Sequence, residues 1–189
     1  QGMGHGSTLV IVEVMRRLTW FALVSYAVVM VALTMLKAFY RIGHLWDPAI
    51  HRRRELRPVP FEDLLGATDW FLPAFGYLGN IAFFVPFGVL VSMLLIGARR
   101  PLLLTTLVGF AASLTIETAQ YVFALGYSDI DDLLMNTLGA FLGAGVARLC
   151  GPRWHRVWIA LALASGVVFA VLVGLGERLG DPDKVVPVT

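Results

Sequence analysis

Six polar side chains, Glu117, Gln120, Asp129, Asp131, Asp132 and Asn136, interrupt two otherwise apolar helical stretches between Ser113 and Gly139, SLTIETAQYVFALGYSDIDDLLMNTLG. Carboxylates in such a set could hold an amine or another cationic ligand. Glu117 could exchange a proton or act as general acid or base, and Asp129, Asp131 and Asp132 could offer oxygen ligands to a divalent cation. Plainer readings stand beside these. A neutral Glu117 bonded to Asn136 would be structurally adequate, and acids after Ser128 favour the positive end of a helix that the Ser128 hydroxyl could cap.

The cost of polarity depends on the surroundings, and composition identifies them. The chain has 189 residues, of which 58% are hydrophobic and 15% charged, with a mean hydropathy of +0.75. That apolar share exceeds what a soluble domain carries and marks an integral membrane protein. In a bilayer a centrally placed carboxylate costs about 2.5 to 3.5 kcal/mol, so ionisable groups turn toward a bundle interior, a watery cavity or a site.

A span needs about 20 apolar residues, and five runs approach or exceed that: Leu18 to Phe39, Tyr77 to Gly97, Leu102 to Leu125, Leu133 to Leu149 and Val157 to Gly176. The expected fold is an all-α membrane bundle of five helices. Four is the alternative, because the fourth run is the shortest and must reach back through the acidic stretch to cross. Residues 1–8, QGMGHGST, read as a flexible start or an expression scar, residues 9–176 as the membrane domain with its motif core at 77–149, and residues 177–189 as a polar tail. No cleavable leader is expected, since the first apolar run is of full spanning length and lacks a small-residue cleavage site.

Arg16 and Arg17 precede the first run, Arg99 and Arg100 join the second to the third, and Arg148, Arg153 and Arg156 join the fourth to the fifth. The connection ALGYSDIDD has no Lys or Arg, so the positive-inside rule puts the N-terminus in the cytoplasm and the acidic run outside. The long first loop, Arg41 to Gly76, is of mixed charge. Alternation between short basic loops places it outside as an amphipathic, aromatic-rich segment, its Trp46, Phe61, Trp70, Phe71 and Phe75 anchoring at the headgroups or, more sharply, forming a lid. Lys37 can snorkel to the interface. With this topology Asn80, Glu117, Gln120 and the run from Asp129 to Asn136 share one depth and would line a single outward-facing pocket.

Thr106, Gly109, Ser113, Glu117 and Gln120 recur at three- and four-residue spacing and form one small, polar stripe. Packing with interhelical hydrogen bonds, worth about 0.6 kcal/mol each, accounts for the first three. It accounts poorly for Glu117, whose bonding Ser or Gln could supply without a titratable group. Asp129, Asp132 and Asn136 share a face with Gly139 and Gly143, a small-residue track suited to close helix contact, whereas Asp131 points elsewhere. Pro86 predicts a bend near Ala82, with Asn80 above it as a cap or a pocket residue. A single Cys150 excludes an internal disulfide, and His5, His44, His51 and His155 show no ligand spacing, so neither a metal nor another cofactor is expected. A net charge of +2 gives no argument for nucleic acid, and membrane lipids are the nearer partners of the basic residues.

The segments NIAFFVPFG, IETAQ and DIDDLLMNTLG, in this order and spacing, resemble the signature of the VanZ-like membrane family over roughly Tyr77 to Leu149. The matching positions are Asn80, Pro86, Gly88, Glu117, Gln120, Asp129, Asp131, Asp132, Asn136 and Gly139. The resemblance implies a small bacterial protein of the cytoplasmic membrane that acts at the cell envelope and is linked to resistance to the glycopeptide teicoplanin; it brings no catalytic residue with it. The family pattern often has an arginine before the acids, GR-x-x-D-x-D-D, where this chain has Gly126, Tyr127 and Ser128.

Three functions compete. A pocket of Asn80, Glu117, Gln120, Asp129, Asp131, Asp132 and Asn136 could bind a lipid-linked precursor or a glycopeptide. A membrane enzyme could modify such a precursor, with Glu117 as the catalytic candidate. A carrier could couple transport to protons through Glu117. Absence of nucleophile, phosphatase, Walker or dinucleotide motifs disfavours the enzyme, and absence of inverted repeats disfavours the carrier, so binding leads.

Overall fold

The computed structural model describes residues 3–35 and 54–175. In chain order these are α1 (Met3–Met35), β1 (Arg54–Arg57), a short α2 (Glu62–Gly66), α3 (Phe71–Leu94), α4 (Pro101–Phe123), β2 (Gly126–Asp129), α5 (Ile130–Cys150), one 3-10 turn (Pro152–Trp154) and α6 (His155–Leu175). Lys37, Arg41, His44, Trp46, His51, Arg52, Arg53 and the tail from 177 lie outside the described residues.

The protein is an all-α membrane bundle, and among the described residues five helices are long and apolar enough to cross, from 21 residues in Ile130–Cys150 to 27 in Leu9–Met35. The four-helix alternative falls away because α5 does reach back through the acidic run. At 1.5 Å per residue its 21 residues measure about 32 Å, matching a hydrocarbon core of about 30 Å. Asp129, rather than the expected Ser128, caps it: the Asp129 carboxylate accepts from the Asp131 amide at 2.8 Å.

Two departures concern the first loop. Its end is helical: α3 starts at Phe71, six residues before the apolar run, because Pro73 is tolerated in a first turn where amides have no partner anyway. Asn80 therefore lies inside α3 and does not cap it. The other departure is a ribbon: β1 pairs in parallel with β2, Arg54 opposite Gly126 through Arg57 opposite Asp129.

Apolar burial alone does not drive helices together in lipid; close backbone approach does. The α3–α5 pair is built on it. A Cβ on Gly139 would overlap the Ile81 carbonyl, one on Gly143 the Val85 carbonyl, and one on Gly88 the Ala140 carbonyl. The small-residue track of α5 thus packs within the chain, against α3, while Ala140 also fills the space opposite Gly109 of α4. Helix α1 completes the core with Ala22, Tyr26 and Met30 against Phe84, Val89 and Leu90 of α3. The Tyr26 hydroxyl donates to the Phe83 carbonyl at 2.8 Å, and α6 packs on α1.

Candidate functional site

The ends of α1 and α4 and the starts of α3 and α5 meet at the ribbon end of the bundle. Helix α4 closes on Ala124, whose φ of 53° is left-handed, and Gly126, at φ 146°, takes a conformation open to glycine as the chain enters β2. The last α4 carbonyls find a cation from the first loop. Arg54 Nε donates to Tyr121 O at 3.1 Å and its Nη2 to Val122 O at 3.0 Å, with the guanidinium 5.8 Å from the Tyr121 ring centre. Such a group both bonds the last carbonyls of the helix and complements the negative end of its dipole.

Within this frame Glu117 is 5% exposed, and its Oε2 accepts from the Asp129 amide at 2.9 Å. It lines a cleft of about 330 Å³ between α4, the ribbon and the start of α5. Arg57, Thr118, Tyr121, Ser128 and Asp129 give the cleft its polar wall, and Leu56, Leu114, Ile130 and Leu133 its apolar one. Burial pushes the Asp129 carboxyl above the ordinary aspartate range, and the Asp131 carboxylate adds to this, against the Asp131 amide and the Arg57 cation, which favour the charged form. Arg57 is itself held by Glu55 at 2.9 Å and Asp63 at 2.8 Å.

The other residues expected in one pocket are distributed among separate contacts. Asp131, which the helical-face argument turns away from Asp132 and Asn136, is the most buried acid among the described residues, at 3% exposed. Its carboxylate accepts from the Phe61 amide at 2.9 Å and from the Tyr77 hydroxyl at 2.7 Å, which pins the first loop and α3 to α5. Phe61 there adopts a left-handed φ of 61°, a strained conformation for a bulky residue that this bond helps hold. The Asn80 amide donates to Asp132, and Asn136 donates to the Ser113 hydroxyl at 3.0 Å inside the α4–α5 contact. Gln120 donates to Thr34 O of α1 at 3.2 Å, and its amide oxygen is buried without a partner among the described residues.

The α4 stripe is buried as the spacing implied, at Gly109, Ser113, Glu117 and Gln120, with Thr105 rather than Thr106 as its inner continuation. Because Asp129, Asp131 and Asp132 each serve different groups, they do not form one oxygen-ligand set, and among the described residues no three His, Cys, Asp or Glu side chains gather as for a metal. Arg54, Arg57, Tyr77, Thr118 and Tyr121 were not singled out from the sequence. The signal for the arginines was the basic tract RRRELR, which carries no pairing information by itself.

A family model described as VanZ/LLP1 matches residues 23–151, from within α1 to the end of α5. The chain is 34% identical to protein VanZ of Enterococcus faecium over 154 residues, 80% of this chain and 87% of that relative. The chain belongs to the VanZ family. No solved structure matches it. The VanZ match takes in the ribbon and the whole cleft, and the structure bears on the one departure from the family pattern. Where a VanZ-like arginine would precede the acids, this chain has Gly126, Tyr127 and Ser128, and the ribbon register brings Arg57 opposite Asp129 instead. A cation reaches the acidic run from another part of the chain.

Proposed function

We propose that this VanZ-family protein lies in the bacterial cytoplasmic membrane with its N-terminus in the cytoplasm and its ribbon end outside. In this reading the cleft at Glu117 binds a lipid-linked envelope precursor or a glycopeptide and so lowers the action of teicoplanin-type antibiotics. The supporting observation is the cleft itself, in which a buried carboxylate, Asp129, Arg57 and the half-exposed Tyr121 ring converge beside an apolar wall. Acids suit an amine, Arg57 a carboxylate or phosphate, and an aromatic face a sugar ring or acyl group. Ligand pockets run from about 300 to 1,000 Å³, so a cleft of this size suits one headgroup or residue of a larger molecule. The arginine distribution supports the orientation: Arg99, Arg100, Arg148, Arg153 and Arg156 lie at the opposite end, while Arg57 is paired with acids.

The test is antibiotic susceptibility of a glycopeptide-sensitive bacterium expressing the protein at matched membrane abundance. Thr118→Trp, at the exposed cleft rim, should fill the cleft without entering the core and abolish protection. Glu117→Gln retains an acceptor for the Asp129 amide and should keep most of it. Complete loss with Gln would favour acid-base catalysis or proton coupling at Glu117 over binding.

A further inference from the structure

At the end of the bundle opposite the ribbon, α1, the end of α3 and the 3-10 turn leading into α6 enclose a groove of about 790 Å³, its rim carrying Arg16, Arg153, His155 and Arg156. Through Ile11, Met15 and Arg156 it runs on into a second groove of about 550 Å³ between α1 and α6, floored by Leu18, Ile159 and Leu163. The course is thus basic at the membrane surface and wholly apolar further along the helices.

Charge at this end is not balanced. Among the described residues Glu13 is the one acid there, and it is already shared by Arg16 at 3.1 Å and Arg17 at 2.9 Å. Arg153 and Arg156 form no ion pair among the described residues. Helix α6 has no acid in its first turn, so its positive end adds to the same field. Topology alone asks for arginines on this side; it does not ask that they border a groove leading down between two helices.

We propose that this groove binds an anionic phospholipid, its phosphate held by Arg153 and Arg156 at the rim and an acyl chain lying between α1 and α6. A phosphate supplies the missing anionic partner, and basic pockets between spanning helices are suited to phosphate headgroups. The apolar floor distinguishes a lipid from a free phosphate, which would leave the α1–α6 groove unused. This site is separate from the ribbon-end cleft and stands or falls independently of it.

The test uses the full chain in neutral detergent, with its thermal unfolding midpoint read on adding phosphatidylglycerol, phosphatidylcholine or glycerol phosphate. Phosphatidylglycerol should raise the midpoint by several degrees, and the other two should not. R153Q/R156Q should lose the response, R153K/R156K should keep most of it, and Ala160→Phe, which fills the groove with the arginines intact, should weaken it. Native mass spectrometry after reconstitution in vesicles of equal phosphatidylglycerol and phosphatidylcholine should find the anionic lipid retained. Equal responses to both lipids, an unchanged response in R153Q/R156Q, or glycerol phosphate matching phosphatidylglycerol would each overturn the proposal.

Discussion

Removing the Asp131 carboxylate strands two donors at once, the Phe61 amide and the Tyr77 hydroxyl. Asp131→Ala should therefore cost about 2 to 3 kcal/mol of stability, and Tyr77→Phe, which leaves the amide bond intact, about 1 kcal/mol; unfolding in detergent measures both. Asp129 behaves differently. Its carboxyl is raised, so the folded chain holds that proton more tightly than the unfolded one, and the resulting stability is present at low pH and lost as pH rises through the raised value. Asn still caps α5. Asp129→Asn should then match or exceed the parent midpoint at neutral pH, with the gap closing as pH falls towards about 4. A midpoint clearly below the parent at neutral pH would contradict this. Of these side chains, Glu117 was legible from cost alone, since a titratable group inside a span needs a reason. Asp131 was not, because what buries it is a loop folding over the bundle, and no helical periodicity encodes that.

The contact of α3 with α5 is tight where Gly139, Gly143 and Gly88 stand, whereas Gly145, on another face of α5, has open space around it. Gly143→Val should cost at least about 1 to 3 kcal/mol through overpacking against backbone that cannot move. Gly145→Ala should be neutral or stabilising by up to about 1 kcal/mol, since alanine favours the helix. The pair isolates close approach from helix propensity, and unfolding in mixed micelles reads the difference; equal effects would mean the track is not a packing face. Spanning helices are legible because length and apolarity are local properties, and the polar stripe of α4 because its spacing is. Strands of four residues, RELR and GYSD, are too short to show alternation and meet from distant parts of the sequence. The ribbon, and with it the arrival of Arg54 at the end of α4 and of Arg57 opposite Asp129, could not be anticipated. The single pocket expected from shared depth became a cleft plus several interior bonds for the same reason: depth is set by topology, whereas which groups face one another is set by packing.

Five spans put the ribbon and the arginine-rich connections on opposite faces of the membrane, and the proposed orientation assigns the ribbon to the outside. In a Cys150→Ser background, Leu65→Cys, on the 82% exposed surface of α2, should react in intact cells with a membrane-impermeant maleimide. Arg99→Cys, in the α3–α4 connection, should react after lysis alone. The reverse pattern would invert the protein and remove the cleft from the envelope side. An outward cleft would still be inert if nothing entered it, so occupancy is the central claim. It is tested most directly by equilibrium binding to the purified chain in lipid nanodiscs, using labelled teicoplanin and a labelled lipid-linked disaccharide-peptide precursor on the parent and Thr118→Trp proteins at matched folding. The account expects saturable binding of at least one probe, weakened by Thr118→Trp at least about tenfold, equivalent to about 1.4 kcal/mol. Binding of neither probe, or equal binding by parent and variant, would contradict it.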